Sequence, residues 1–271
     1  MKSKNEVNTS QTATLLKALH ILTIDGKLNQ DSRRKLKQVN HLVNFIAPLI
    51  ATIENPSIVD IGAGKSYFGF MLYDWLLKSR ETGHIIGIEN RADLVEKSQI
   101  LAEDCGFNRM QFLALNAAES IACEEIPAKI DMVTALHACN TATDDAIQFG
   151  LAKQAKFMVL VPCCQAEVAE QLRLKKNESF GKTPLSEIWR HPIHTREFGS
   201  QITNVLRCLQ LEAAGYNVTV TELVGWEHSM KNELIIAKYT GQPRKNAVDR
   251  IEAILSEFNL KDLQARFINW A

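Results

Sequence analysis

The chain has no surplus of charge, no long apolar run and few aromatic residues. Its 271 residues carry 31 Lys and Arg against 31 Asp and Glu, and aromatics make up 7%. A balanced charge argues against the strongly basic footprint of a nucleic-acid coat protein, while leaving room for a local basic patch. No stretch approaches the roughly 18 apolar residues that a membrane span needs. The polar segment from Met1 to Gln11 lacks the apolar core of a secretory signal. No CxxC pair occurs among the six cysteines, so a zinc ribbon is unsupported. Their spacing is not that of a disulfide framework either. The expectation is a cytoplasmic globular protein without membrane contact.

What is present begins with helices. Leu15, Leu16, Leu19 and Leu22 recur at helical spacing, Asp25-Gly26 marks a turn, and Leu36, Val39, Leu42, Val43, Ile46, Leu49 and Ile50 continue the pattern. Residues 1–50 hold eight Lys and Arg against three acids, concentrated in Arg33-Arg34-Lys35-Leu36-Lys37. A solvated helix face and a phosphate-contacting face both fit that run.

After Asn55-Pro56 short Ile/Val-rich runs alternate with helical stretches. The expected strands are Ser57–Ile61, His84–Glu89, Met110–Leu115, Ile130–Leu136, Lys156–Val161, Tyr216–Val224 and Glu233–Tyr239. The first five have connections long enough for crossover helices, which predicts a parallel sheet covered on both faces. The last two are separated only by Gly225 to Asn232, so they pair antiparallel. The fold class is therefore α/β: a Rossmann-like, mostly parallel seven-stranded sheet with a terminal antiparallel hairpin, plus an N-terminal helical extension. The divisions fall at 1–55 (N-terminal helices), 56–240 (the sheet domain, with an insertion at 170–200) and 241–271 (a C-terminal helix). The insertion reads as a partly irregular lid followed by a helix from about Gln201 to Ala214, capped by Gly215. Within it His191 and His194 flank Pro192, which argues against a clean helical histidine pair, and Arg190 and Arg196 lie nearby.

The segment Val59-Asp60-Ile61-Gly62-Ala63-Gly64-Lys65-Ser66-Tyr67 closes the first strand and opens a helix. A phosphate loop needs glycine where Val59 stands, so Gly64-Lys65-Ser66 is coincidental. A dinucleotide fingerprint needs glycine where Tyr67 stands. An acidic residue followed by G-x-G fits a turn beneath S-adenosylmethionine (SAM). The glycines let the main chain pass close under the ligand. The sulfonium and ammonium favour a carboxylate that a pyrophosphate would repel. A plain strand-to-helix turn remains the structural alternative. Glu89, at the end of the second strand, can accept both ribose hydroxyls at the ligand-binding edge of an open sheet. Asn116, after the third strand, can read the adenine edge or cap a helix. Cofactor candidates are thus Asp60, Gly62, Gly64, Glu89, Asn116 and His137.

Across roughly residues 56–240 the chain resembles the class I SAM-dependent methyltransferases, within the methyltransferase-domain family that includes several methyltransferase-like proteins. The glycine-turn motif carries the resemblance, with Leu136-His137-Ala138-Cys139-Asn140 and Val161-Pro162-Cys163-Cys164. The likeness implies strand order 3-2-1-4-5-7-6 and SAM as cofactor. It implies no acceptor, and the residues after strand four are not the Asn/Asp-Pro-Pro-Tyr set of exocyclic-amine methyltransferases. Candidate catalytic residues follow strands four and five: His137 as general base or pocket former, and Cys163 and Cys164 as pyrimidine-attacking thiolates or buried structural cysteines. A metal site from His137, Cys139 and the Cys163–Cys164 pair is a third reading; none is adopted. Trp226, Glu227, His228 and Lys231 are expected at the pocket rim. The expected function is methyl transfer to RNA, a protein or a small molecule, RNA gaining from the basic N-terminal helices. The alternative is a non-catalytic binding or scaffold module on the same fold.

Overall fold

The computed structural model describes residues 12–23, 25–28, 30–136, 140–162, 166–175, 184–223 and 233–268. The seven expected strands form as β1 (Ser57–Ile61), β2 (His84–Glu89), β3 (Met110–Ala114), β4 (Met132–Leu136), β5 (Phe157–Val161), β6 (Tyr216–Glu222) and β7 (Glu233–Tyr239). They make one sheet in the order β3-β2-β1-β4-β5-β7-β6. β1 to β5 pair in parallel, whereas β7 runs antiparallel to both of its neighbours.

Strand periodicity sorts side chains onto two buried faces. On one face Ile58, Ile85, Met132, Val159 and Leu234 pack against helices α1 (Ala13–Ala18), α2 (Gln30–Ile50), α3 (Tyr67–Leu72) and α4 (Ala92–Asp104). On the other, Val59, Ile86, Val133, Met158 and Ile235 pack against α5 (Ala117–Ala122), α6 (Ala142–Ala152) and the end of α8 (Pro192–Ala213). A third cluster joins α7 (Glu167–Leu174) and α8 to α9 (Ala247–Glu257) and α10 (Gln264–Ile268). The N-terminal helices therefore share a core with the sheet. Thr12 fastens α1, its N–H and hydroxyl donating to the Asp74 carboxylate, with Lys78 Nζ donating to the Thr12 hydroxyl at 2.8 Å.

Two helical expectations are corrected. The helix expected from about Gln201 begins at Pro192, nine residues earlier, because proline at the first helical position is a start signal rather than a break. His191 is its N-cap residue, and the His191 and His194 rings meet edge to face at 5.3 Å. The tail is not one helix: α9 ends before Asn259, which adopts φ +52°, and a short 3-10 turn (Lys261–Leu263) leads into α10. Among the described residues no helix is long and apolar enough to cross a membrane.

Candidate active site at the carboxyl edge of the sheet

β1 runs into the glycine turn, where Gly62 and Gly64 take φ of +67° and +59° and Ser66 takes φ +49°. Such angles suit glycine because it has no Cβ to clash. A Cβ placed on either glycine would meet nothing within 4 Å, so the space beside the turn is open to a ligand. The Ala63 N–H donates to the Ile88 carbonyl at 2.9 Å, and the Gly64 N–H donates to Glu89 Oε2 at 2.8 Å. The turn is thereby stitched to the end of β2.

Glu89 is buried, and its other oxygen accepts from Arg91 N–H at 3.1 Å and Arg91 Nε at 2.9 Å. Burial pushes its carboxyl up, but the bonds from Arg91 and Gly64 outweigh that and hold it below the usual carboxylate range. It is thus an anion at neutral pH.

Asp60 behaves oppositely. Register pairs it with Thr134 across β1 and β4, on the face covered by the N-terminal helices. Asp60 is 3% exposed and accepts from Thr134 Oγ1 at 2.7 Å. Burial pushes its carboxyl up to about 7, against the lowering pull of Thr134. No cation among the described residues pairs with it.

Asp60 lines a cavity of about 420 Å³ between the turn and the N-terminal helices. Its apolar walls include Leu19, Val39, Leu42 and Phe68, with Leu136 from the end of β4 and Leu223 from just past β6. Lys65, His20 and Tyr67 add polar groups. The Tyr67 hydroxyl is buried with no partner among the described residues, and burial pushes it up to about 12.

Asn116 caps α5. Its Oδ1 accepts from the Glu119 N–H at 2.9 Å, while Glu119 Oε2 accepts from the Asn116 N–H at 3.0 Å. The structural role weighed from the sequence is therefore present, and the Asn116 amide nitrogen keeps its two donors.

The catalytic candidates His137, Cys163 and Cys164 lie outside the described residues, as do Cys139, Trp226, Glu227, His228 and Lys231. Their flanks are described and are tied together. Asn140, at φ +52°, accepts from the Ala166 N–H through its Oδ1 at 3.2 Å, linking the segments after β4 and β5. Arg207 on α8 holds the Asn140 carbonyl at 2.8 Å and grips both oxygens of Asp144 at 2.8 and 2.7 Å. Its Nη1 also donates to Asn204, whose amide reaches Glu233 at the start of β7. Sequence reading missed this network because an arginine on an amphipathic helix looks like a solvated one. Thr134 and Tyr67 were likewise missed, although strand register opposite an acidic residue was a usable signal for the first.

In the insertion Arg190 pairs with Glu187 and Arg196 with Glu197, Lys175 reaches Asp262 at 2.8 Å, and none of these three lines the cavity. Cys105, Cys123 and Cys208 are free and half-buried, and burial pushes the Cys208 thiol up to about 12, as suits an inert core cysteine. Among the described residues no group of three or more potential ligands could hold a metal.

The model of a protein family described as "Methyltransferase domain" matches residues 34–171. The glutathione S-transferase C-terminal domain-containing proteins of Macaca fascicularis and Homo sapiens are each 25% identical over 230 residues, covering 78% of this chain and 34% of theirs. The chain thus spans about a third of the length of these curated relatives. Among solved structures, a putative S-adenosyl-L-methionine-dependent methyltransferase from Methanococcus maripaludis is 13% identical. It aligns with 89% of this chain and 99% of its own at a TM-score of 0.48.

Proposed function

This chain belongs to the methyltransferase-domain family, and on that premise we propose that it transfers a methyl group from SAM to an acceptor. One observation carries the reading. Two carboxylates from neighbouring strands, Asp60 and Glu89, bracket a two-glycine turn whose flank is open. That pair of acceptors suits a ligand with cations and a ribose but no phosphate.

Bound SAM supplies an electrophilic methyl group on a sulfonium. Gly62 and Gly64 let the main chain pass beneath it without side-chain interference. Glu89 takes the ribose hydroxyls, keeping its ionised form through the Gly64 and Arg91 donors. Asp60 would receive the ammonium, and a cation held beside it would favour its ionised form. The Asn116 amide nitrogen reads the adenine edge while its oxygen continues to cap α5. His137 orients or deprotonates the acceptor. Cys163 and Cys164 serve either as pyrimidine nucleophiles or as pocket walls.

RNA is the acceptor class we carry forward, supported by the basic stretch Arg33 to Lys37 at the start of α2. The alternative is a non-catalytic binding or scaffold module that keeps the same fold and donor pocket. Calorimetry with SAM, followed by labelled methyl transfer to RNA, protein and small-molecule fractions, separates them. Uptake with turnover supports the enzyme, uptake without turnover in any fraction supports the module, and undiminished SAM affinity in both Gly62→Arg and Asp60→Ala removes the assigned pocket.

A further inference from the structure

The cavity beside the glycine turn has a second side, built by the N-terminal helices. Leu19 and His20 at the end of α1, with Gln38, Val39 and Leu42 on α2, line it together with Tyr67 of α3. Leu136, the last residue of β4, carries the same cavity to the sheet edge, one residue before His137. Two groups here are polar and neutral. The Tyr67 hydroxyl is buried with no partner among the described residues and keeps its proton, since burial pushes it up to about 12; Gln38 adds an amide. A buried hydroxyl without a partner costs free energy that an incoming polar edge recovers.

An aliphatic ligand would fit the leucine and valine walls but leave the hydroxyl and the amide unsatisfied. A sugar or phosphate would do the reverse. A nucleobase, with apolar faces and a polar edge, matches both. Val39, Leu42 and Phe68 are buried, so a base still stacked in a duplex cannot reach them. α2 adds charge ahead of this wall. Arg34 and Lys35 precede Gln38 by four and three residues in a helix that begins at Gln30, which places them one turn away along one side of α2. We propose that the helix side of the cavity seats one unstacked nucleobase of a single-stranded RNA, Tyr67 and Gln38 meeting its edge and the run from Arg33 to Lys37 meeting the flanking phosphates. The inference rests on the RNA reading of the preceding section and narrows it to an unpaired nucleotide held by the N-terminal helices.

The test uses a short dye-labelled single-stranded RNA, the same strand annealed to its complement, and SAM. Fluorescence anisotropy reads the two RNAs and calorimetry reads SAM. The wild-type chain should hold the single strand at least about fivefold more tightly than the duplex, the scale of seating one base. Tyr67→Phe should weaken the single strand about three- to tenfold, the scale of one hydrogen bond. It should leave duplex and SAM affinity unchanged and cost no melting temperature, because the hydroxyl has no partner in the chain to lose. Arg34→Gln with Lys35→Gln should flatten the slope of log affinity against log salt by about 1.4 while keeping the preference for the single strand. Equal wild-type affinity for the two RNAs overturns the seat. So does a Tyr67→Phe chain that keeps its single-strand affinity, or one that loses SAM affinity instead. Each of these leaves methyl transfer standing. A chain that takes up SAM and neither RNA removes the seat and the RNA acceptor together. One that shows the expected RNA pattern without taking up SAM keeps the seat and removes the donor reading.

Discussion

Arg207 donates a 2.8 Å hydrogen bond to the main-chain oxygen of Asn140 from a fully buried side chain. The same guanidinium grips Asp144 with two bonds and Asn204 with a third. α8 thereby fixes the described residue that follows the His137 segment, and Asn140 in turn holds the residue that follows Cys163 and Cys164. A buried pair of this kind matters more for what its loss leaves behind than for its own net worth.

Replacing Arg207 alone should therefore be severe. Arg207→Met leaves the buried Asp144 with only Arg266, at 3.7 Å, as a counter-ion among the described residues and should cost about 3 kcal/mol in urea unfolding. Arg207→Met with Asp144→Leu should recover much of that loss. A single-variant cost below about 1 kcal/mol, the level of an exposed pair, would contradict the assignment.

Asp60 predicts an unusual pH dependence. Its folded value is raised, so between about 4 and about 7 the folded chain keeps a proton that the unfolded chain has released. Stability then falls as pH rises through that window. With a shift from 3.8 to about 7, the contribution is about 4 kcal/mol. Asp60→Asn should remove this slope and be more stable than wild type at pH 8, while binding SAM more weakly. Unfolding midpoints of the two chains from pH 4 to pH 8 give the comparison, and parallel curves would refute it.

Gly62 separates folding from binding. With φ at +67° and open space around an added Cβ, Gly62→Ala should lose about 1–2 kcal/mol through backbone strain alone. Its melting point should drop by a few degrees. Its affinity for SAM should fall much further, because the methyl group occupies the space the ligand needs. Calorimetry beside thermal melts checks both halves.

Gly199 lacks that freedom. A Cβ there would stand 2.6 Å from the Ala169 main-chain nitrogen, where α7 crosses α8. Gly199→Ala should force the helices apart and cost about 1–3 kcal/mol or more. Urea unfolding unchanged from wild type would disprove the close crossing.

Asn116 offers a finer cut. Asn116→Asp keeps the oxygen that caps α5 and removes the amide donor, so stability should hold while SAM affinity drops. Asn116→Ala should lose about 1 kcal/mol of stability as well. Equal SAM affinity in wild type and Asn116→Asp would leave Asn116 as a cap alone.

The sheet was legible because strand signals are local: β1, β2 and β7 occupy the expected residues, and the other strands shorten by at most two at an end. The glycine turn and the position of Glu89 were legible for the same reason. The protonation contrast between Asp60 and Glu89 was not, since it depends on which sheet face each occupies and on Arg91, Gly64 and Thr134 as neighbours. Pro192 misled because its meaning depends on whether it lies inside a helix or at its first residue. Arg207 escaped notice because its partners Asn140 and Asp144 lie more than sixty residues away.

The latch of Thr12 on Asp74 reaches beyond α1 itself. Ala18, Leu19 and His20, at the far end of that helix, wall the cavity that Asp60 and Lys65 share. Whatever fills the cavity must also hold the first helix down, and by reciprocity a docked helix must favour filling by the same free energy. Occupancy should thus be readable from outside the site, as slower proteolytic cutting within residues 12–28, with no acceptor supplied and no turnover required.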